Sequence, residues 1–303
     1  MKILFCSDGS SQAENAVRFG ASIAAACQAE ASILGIVEKA GQEDAVLQAL
    51  RRTQGILKEY HLDAELITKA GRPVREIIKR TQEAKYDLVI VGAVRKGTRG
   101  PLWMSARAYK IIESVEPPVL VVIGDCVQLR RLLVCDGGTH KADAAVQFAG
   151  KIARHMNATV DLLHVLAEPP AVYANLVKSE EDVDQILQSS SKLGRCLRSQ
   201  KELLEKMAVP CEVHLRHGLV LDELLAELQH AEYGLVVSGS CPAHDRLRRY
   251  IMGNVTREIV NRAELPVLVV RGGTESDHGF SGLVNRLLNR PSGSARADGA
   301  GDA

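Results

Sequence analysis

The chain has 303 residues, enough for about two domains of ordinary size, each able to bury its own core. With 38 Lys+Arg against 37 Asp+Glu, a net charge of +1 and 4% aromatic residues, it has neither the one-signed field nor the stacking platforms of a nucleic-acid partner. No apolar run approaches the roughly 20 residues that cross a bilayer, and Met1 leads straight into KILFCSD with no cationic leader, so a cytoplasmic protein without integral membrane association is expected.

The first strand is read in ILFCS. It is followed by Asp8-Gly9-Ser10-Ser11, whose side chains and flexible backbone suit the start of an Ala-rich helix. Further strands are read in ASILGIV, which ends on Val37, in AELITKA, in LVIVGAV, which contains Gly92, and in VLVVI. Such Val/Ile/Leu runs imply burial on both faces, and the helical periodicity between them implies right-handed crossovers. The fold class expected is α/β, a doubly wound, Rossmann-like parallel sheet of about five strands with helices on both faces.

From residue 132 the pattern starts again. LLVCDGGTHKADAAVQFAGKIA repeats ILFCSDGSSQAENAVRFGASIA, and matching Asp8 to Asp136 and Val37 to Val165 gives a separation of 128 (136 minus 8). Gly71 and Gly218, then Gly92 and Gly239, match at 147 (218 minus 71), so 19 extra residues (147 minus 128) are expected in the second copy. They are placed in or near EPPAVYANLVKSEEDVDQILQSSS, read as a loop leading into the helix KLGRCLRSQKELLEKM. The closing strands PVLVVI and PVLVV match at 148. Two tandem domains follow, at 1–126 and 127–272, with a flexible tail at 273–303. Within the tail Phe280, Leu283, Val284, Leu287 and Leu288 form a short amphipathic segment.

In such sheets ligands collect at the carboxyl ends of the strands, where strand order reverses. Asp8, Val37 and Gly92 in one copy, and Asp136, Val165 and Gly239 in the other, all end strands and are expected to converge on one crevice each.

These residues, the glycine before the third helix in AGRPVREII and RHGLVLDELL, and the closing PVLVV resemble those of universal stress protein domains. The chain is similar to a tandem member of that family from Met1 to Arg271. The resemblance implies two domains of the adenine nucleotide alpha hydrolase-like group. It also implies an ATP site where a loop of pattern G-x2-G-x9-G-[S/T] follows the fourth strand, because glycines let backbone N–H groups approach phosphates. The first copy keeps Gly92 but has Arg95, Ser105 and Ala106 at the remaining pattern positions, so its site is expected to be vestigial. The second keeps Gly239 and Gly253, with Pro242 at the second glycine, one residue too many, and Asn254 in place of the hydroxyl. Proline fixes φ and offers no N–H, so GSCPAHDRLRRYIMGNV reads as a remnant that caps its helix. If either copy holds ATP, it is the second.

No catalytic set and no metal site stand out. His214 and His217 bracket a strand end without matching ligands. No G-x-S-x-G elbow occurs. Asp136-Gly137-Gly138-Thr139 is similar to the phosphate loop of ATP pyrophosphatases but lacks its leading and trailing residues. Seven cysteines without a CxxC pair read as buried thiols, with Cys241, among loop arginines, the reactive exception. The reading is a non-catalytic stress-response module acting through a ligand or an unidentified protein partner. Its closing strands would associate as an intramolecular pseudo-dimer, and whole chains could pair further. The alternatives are an ATP-binding sensor switch and a nucleotide-hydrolysing enzyme dependent on Asp136.

Overall fold

A computed structural model describes residues 1–93, 95–96, 103–104, 106–124, 128–167, 183–240 and 255–271. The first copy runs β1 (Lys2–Cys6), α1 (Ser11–Ala26), β2 (Glu30–Val37), α2 (Glu43–Glu59), β3 (Ala64–Ala70), α3 (Pro73–Glu83), β4 (Leu88–Gly92), a two-residue ladder of β5 (Arg95–Lys96) with β6 (Trp103–Met104), α4 (Ala106–Ser114) and β7 (Val119–Val122). The second runs β8 (Arg131–Asp136), a 3-10 turn (His140–Ala142), α5 (Asp143–Met156), β9 (Thr159–Leu166), α6 (Val183–Gln188), α7 (Lys192–Lys206), β10 (Cys211–His217), α8 (Val220–His230), β11 (Leu235–Ser240), a helix α9 over 255–262 and β12 (Val267–Arg271). The stretch read as a loop before α7 thus holds the six-residue helix α6.

The two five-stranded parallel halves are one sheet of ten strands, in the order β10-β9-β8-β11-β12-β7-β4-β1-β2-β3. All neighbours are parallel except β7 and β12, which meet antiparallel with Val119 opposite Val269, Leu120 opposite Leu268 and Val121 opposite Val267. Residues 148 apart (268 minus 120) therefore exchange places across the junction, which is centred on Leu120 and Leu268. Two further contacts tie the copies together. The Arg257 guanidinium lies 4.8 Å from the Tyr109 ring centroid. Arg271 donates to the carbonyls of Ile112 and Glu113 at the C-terminus of α4, where a cation is favoured by the helix dipole.

Alternation along the strands divides the core between the two faces. Ile3 and Phe5 point to the side covered by α1, α2, α5 and α7, while Leu4 points to the side of α3, α4, α8 and α9. Each face carries a single apolar cluster that runs through both copies, which makes the region 1–272 one compact unit. Helix starts follow the expected chemistry: Ser10 Oγ accepts from Ala13 N at 3.2 Å to cap α1, and Ser191 Oγ accepts from Gly194 N at 2.9 Å to cap α7.

Candidate functional site

In each half the strand order reverses between the first and fourth strands, β1 and β4 or β8 and β11. The crevice opens at their carboxyl ends. In the first copy Ser7 is buried and its hydroxyl meets Thr53 of α2 at 2.9 Å. Asp8 is exposed, and its Oδ1 accepts from Ser10 N at 3.0 Å and Ser10 Oγ at 2.6 Å. Gly9 turns the chain at φ +77°, where a Cβ would fall 2.6 Å from that of Ala49. Val37, at the end of β2, is 6% exposed. Gly92 is packed against backbone: a Cβ there would lie 2.5 Å from Gln12 O and 2.9 Å from Ala13 N.

The second copy is built to a different register from the one its sequence suggested. Cys6 pairs with Leu34 and Cys135 with Leu163, and the left-handed glycines are Gly9 and Gly138, so equivalent residues here are 129 apart (135 minus 6). Asp136 therefore occupies the place of Ser7 and Gly137 that of Asp8, while Leu166 and not Val165 matches Val37. The insertion is 18 residues (147 minus 129), given that Gly218 keeps its place relative to Gly71 at 147. The cause is physical. The aspartate has moved back by one residue, onto the buried side of the strand, and identity at one position outweighed the apolar pattern on either side of it.

At that position the Asp136 side chain is fully buried. Its Oδ2 accepts from Gly138 N at 2.7 Å and its Oδ1 from Gln200 Nε2 at 3.1 Å. His164 Nδ1 lies 3.0 Å from the Asp136 carbonyl oxygen, an acceptor only, so this nitrogen carries the proton. A Cβ at Gly138 would lie 2.7 Å from His164 Cε1 and 3.0 Å from Leu193 Cδ1, so the floor of the crevice is filled by protein. Gln200, from α7, also donates to Asp143 Oδ1 at 3.0 Å. Val165 is half-buried beside Arg216 on β10. Among the described residues, the nearest atoms to a Cβ added at Gly239 are Ala145 Cβ at 3.8 Å and Ala142 Cα at 3.9 Å. Gly253, Asn254, Pro242 and Cys241 lie outside the described residues. The thiols of Cys6, Cys135, Cys196 and Cys211 are pushed up to about 12 by burial, and that of Cys27 to about 11.

A second polar cluster, which residue spacing did not disclose, lies between β8, β9, β10 and α8. Asp161 is 1% exposed, and its Oδ2 accepts from Arg131 Nε at 2.7 Å and Tyr233 Oη at 2.7 Å. Glu227, from α8, accepts from Arg216 at 2.6 Å and from Tyr233 at 3.1 Å. His214 is held between the two acids, Nε2 3.5 Å from Asp161 and Nδ1 3.5 Å from Glu227, with Glu212 3.6 Å away. The Asp161 carboxylate beside it raises the His214 pKa above the usual imidazole value against the opposing effect of burial. In the first copy the equivalent places hold Ser32, Glu65, Ile67, Arg80 and Tyr86, joined only by Ser32 to Glu65 at 3.2 Å and by Arg80 to Tyr86 at 2.8 Å and Glu65 at 3.3 Å.

A pH dependence follows. A group whose pKa is raised on folding stabilises fully below its unfolded value, about 6.5 for histidine, and loses that contribution as pH rises through the folded value. The chain is expected to lose urea resistance as pH rises from about 6.5 through the raised folded value. His214→Gln should flatten that slope, and an unchanged slope in the variant would show that His214 is not its source.

The family of the chain is settled by comparison. The model of the universal stress protein family matches residues 1–122 and again 128–271. The chain belongs to that family and carries its domain twice. A universal stress protein of Methanocaldococcus jannaschii is 22% identical over 142 residues, covering 47% of this chain and 82% of that one. One of Bacillus subtilis is 25% identical over 146 residues, covering 46% and 98%. Among solved structures, a universal stress protein from Archaeoglobus fulgidus superposes with a TM-score of 0.68 at 19% identity over 90% of this chain and 98% of its own. Another, from Pseudomonas aeruginosa, gives 0.66 at 15% over 95% and 98%. At these identities the structural likeness establishes the fold. Among the described residues, no helix is long and apolar enough to cross a membrane.

Proposed function

We propose that this stress-response protein is a non-catalytic tandem module that acts by binding a ligand or a protein partner, with degenerate nucleotide sites. The observation that carries the reading is the placement of Asp136, buried and hydrogen-bonded to Gln200 and to Gly138 N, so that Gly137 stands where the first copy exposes Asp8. The parts of a nucleotide site are thereby divided between the copies. The first keeps an exposed aspartate but uses Gly92 for packing and has Arg95 in its loop, while the second keeps Gly239 with space beside it but has lost the exposed carboxylate. Antiparallel pairing of β7 with β12 supports an intramolecular pseudo-dimer, which covers two apolar strand edges. The outer edges are then β3 and β10. Further pairing of whole chains would have to use another surface.

The space beside Gly239 favours the second reading, an ATP-binding switch in the second copy. Calorimetric titration of nucleotide-stripped protein with MgATP tests both. The expected result is no binding heat and no nucleotide released on denaturation. Binding near one site per chain, abolished by Gly253→Val, would replace the proposal with the switch.

A further inference from the structure

The crevice of the second copy has exchanged its side chains for a set with a common chemistry. His140, on the 3-10 turn, Asp143, at the start of α5, and Cys196, on α7, place one donor atom each within 4.8 Å of one another. The first copy has Ser11, Glu14 and Ala49 at the equivalent positions, at separations of 129 and 147, and these cannot form such a set. The second copy thus holds an imidazole, a carboxylate and a thiol in one place, with the Asp136 carboxylate next to them. Among the described residues no lysine or arginine pairs with Asp136, and its ion-pair contact is His164 at 3.6 Å.

Gln200 supplies an independent observation. It is 1% exposed, and its Oε1 has no hydrogen-bond partner. Its amide nitrogen is 3.1 Å from Asp136 Oδ1, 3.0 Å from Asp143 Oδ1 and 3.5 Å from Cys196 Sγ. One buried amide thus holds two carboxylates and a thiol together while its own oxygen stays unsatisfied. A cation bound among these groups would neutralise the two carboxylates that the Gln200 amide now holds together.

We propose that the second copy binds a divalent transition-metal ion of the zinc class through His140, Asp143 and Cys196, with Asp136 as the fourth donor and Gln200 hydrogen-bonded to the two carboxylates. Mixed nitrogen, sulfur and oxygen donors select that class over magnesium or calcium. Bond lengths of about 2.0–2.3 Å place tetrahedral donors roughly 3–4 Å apart. The three donors must therefore draw in by about 1 Å, which the exposed His140 ring supplies by rotation. Cys196 gives up its thiol proton to solvent on binding.

The test is a Co2+ titration of the full-length, metal-stripped chain followed by absorption. One ion per chain is expected, with a thiolate-to-cobalt charge-transfer band and intense tetrahedral d–d bands, both lost on adding Zn2+. Cys196→Ala, which installs the first copy's residue, should remove the charge-transfer band. His140→Ala, at an exposed position that the core does not need, should weaken binding about tenfold or more. Absence of the charge-transfer band in the parent chain overturns the proposal, as does undiminished binding in His140→Ala, which would place the ion on other residues.

Discussion

Replacing Asp161 by alanine is expected to destabilise the chain by about 3 kcal/mol or more, against about 1 kcal/mol for Ser32→Ala at the equivalent place in the first copy. Both residues are 1% exposed and start from the same position on the second strand of their half. They differ in what they hold. Asp161 is the shared acceptor of Arg131 and Tyr233 and the counter-ion of His214, so its loss leaves a guanidinium and an imidazolium facing an apolar methyl group. Burial works against the charge on Asp161, yet contacts from His214, Tyr233 and Arg131 hold its pKa below the usual carboxylate value, so its contribution is present at neutral pH and is lost as pH falls through the folded value. Ser32, uncharged, donates one hydrogen bond, to the exposed Glu65 carboxylate. The loss at Asp161 is bounded from above because Arg131 is one-third exposed and can turn to water, and because Tyr233 keeps Glu227. Urea unfolding followed by circular dichroism measures both. Equal losses would mean that the cluster is an incidental surface network.

Much of the architecture was legible because it is written in local patterns. Apolar runs such as LVIVG and VLVV announce strands buried on both faces, and the closing strands, which repeat at a separation of 148, meet antiparallel about Leu120 and Leu268. The candidate site was less legible, for two physical reasons. Asp136 looks like Asp8 as a letter, but one position along a strand sends a side chain to the opposite side, and the partners that settle the matter, Thr53 on α2 and Gln200 on α7, lie beyond the second strand of each copy. The His214 cluster and the His140, Asp143 and Cys196 trio draw on segments far apart in the chain, so no spacing rule for ligands or ion pairs could find them. A retrievable signal did exist: aligning AVRFGASIA with AVQFAGKIA fixes the separation at 129 and puts Asp136 opposite Ser7.

The two strand-end glycines make the second prediction, because the sequence treats them as equals and the packing does not. Gly92→Ala is expected to cost about 1–3 kcal/mol or more. The added Cβ would meet Gln12 O at 2.5 Å, Gln12 C at 2.8 Å and Ala13 N at 2.9 Å, all backbone in the first turn of α1, so a helix has to move and no side chain can yield instead. Gly239→Ala should fall within about 0.5 kcal/mol of the parent chain, since its nearest neighbours among the described residues are at ordinary contact distance. Thermal unfolding of the two variants side by side separates the cases, and comparable melting temperatures would contradict the account of how α1 rests on β4. The asymmetry also bears on function. A glycine that the core requires at Gly92 says nothing about a ligand, whereas one that the core does not require at Gly239 is retained by history or by something that approaches the strand end. Gly239→Ala therefore interrogates the ligand question without disturbing the fold. If the chain binds no nucleotide, this variant should behave like its parent in every binding assay, and a selective loss of affinity would mark the end of β11 as a working site.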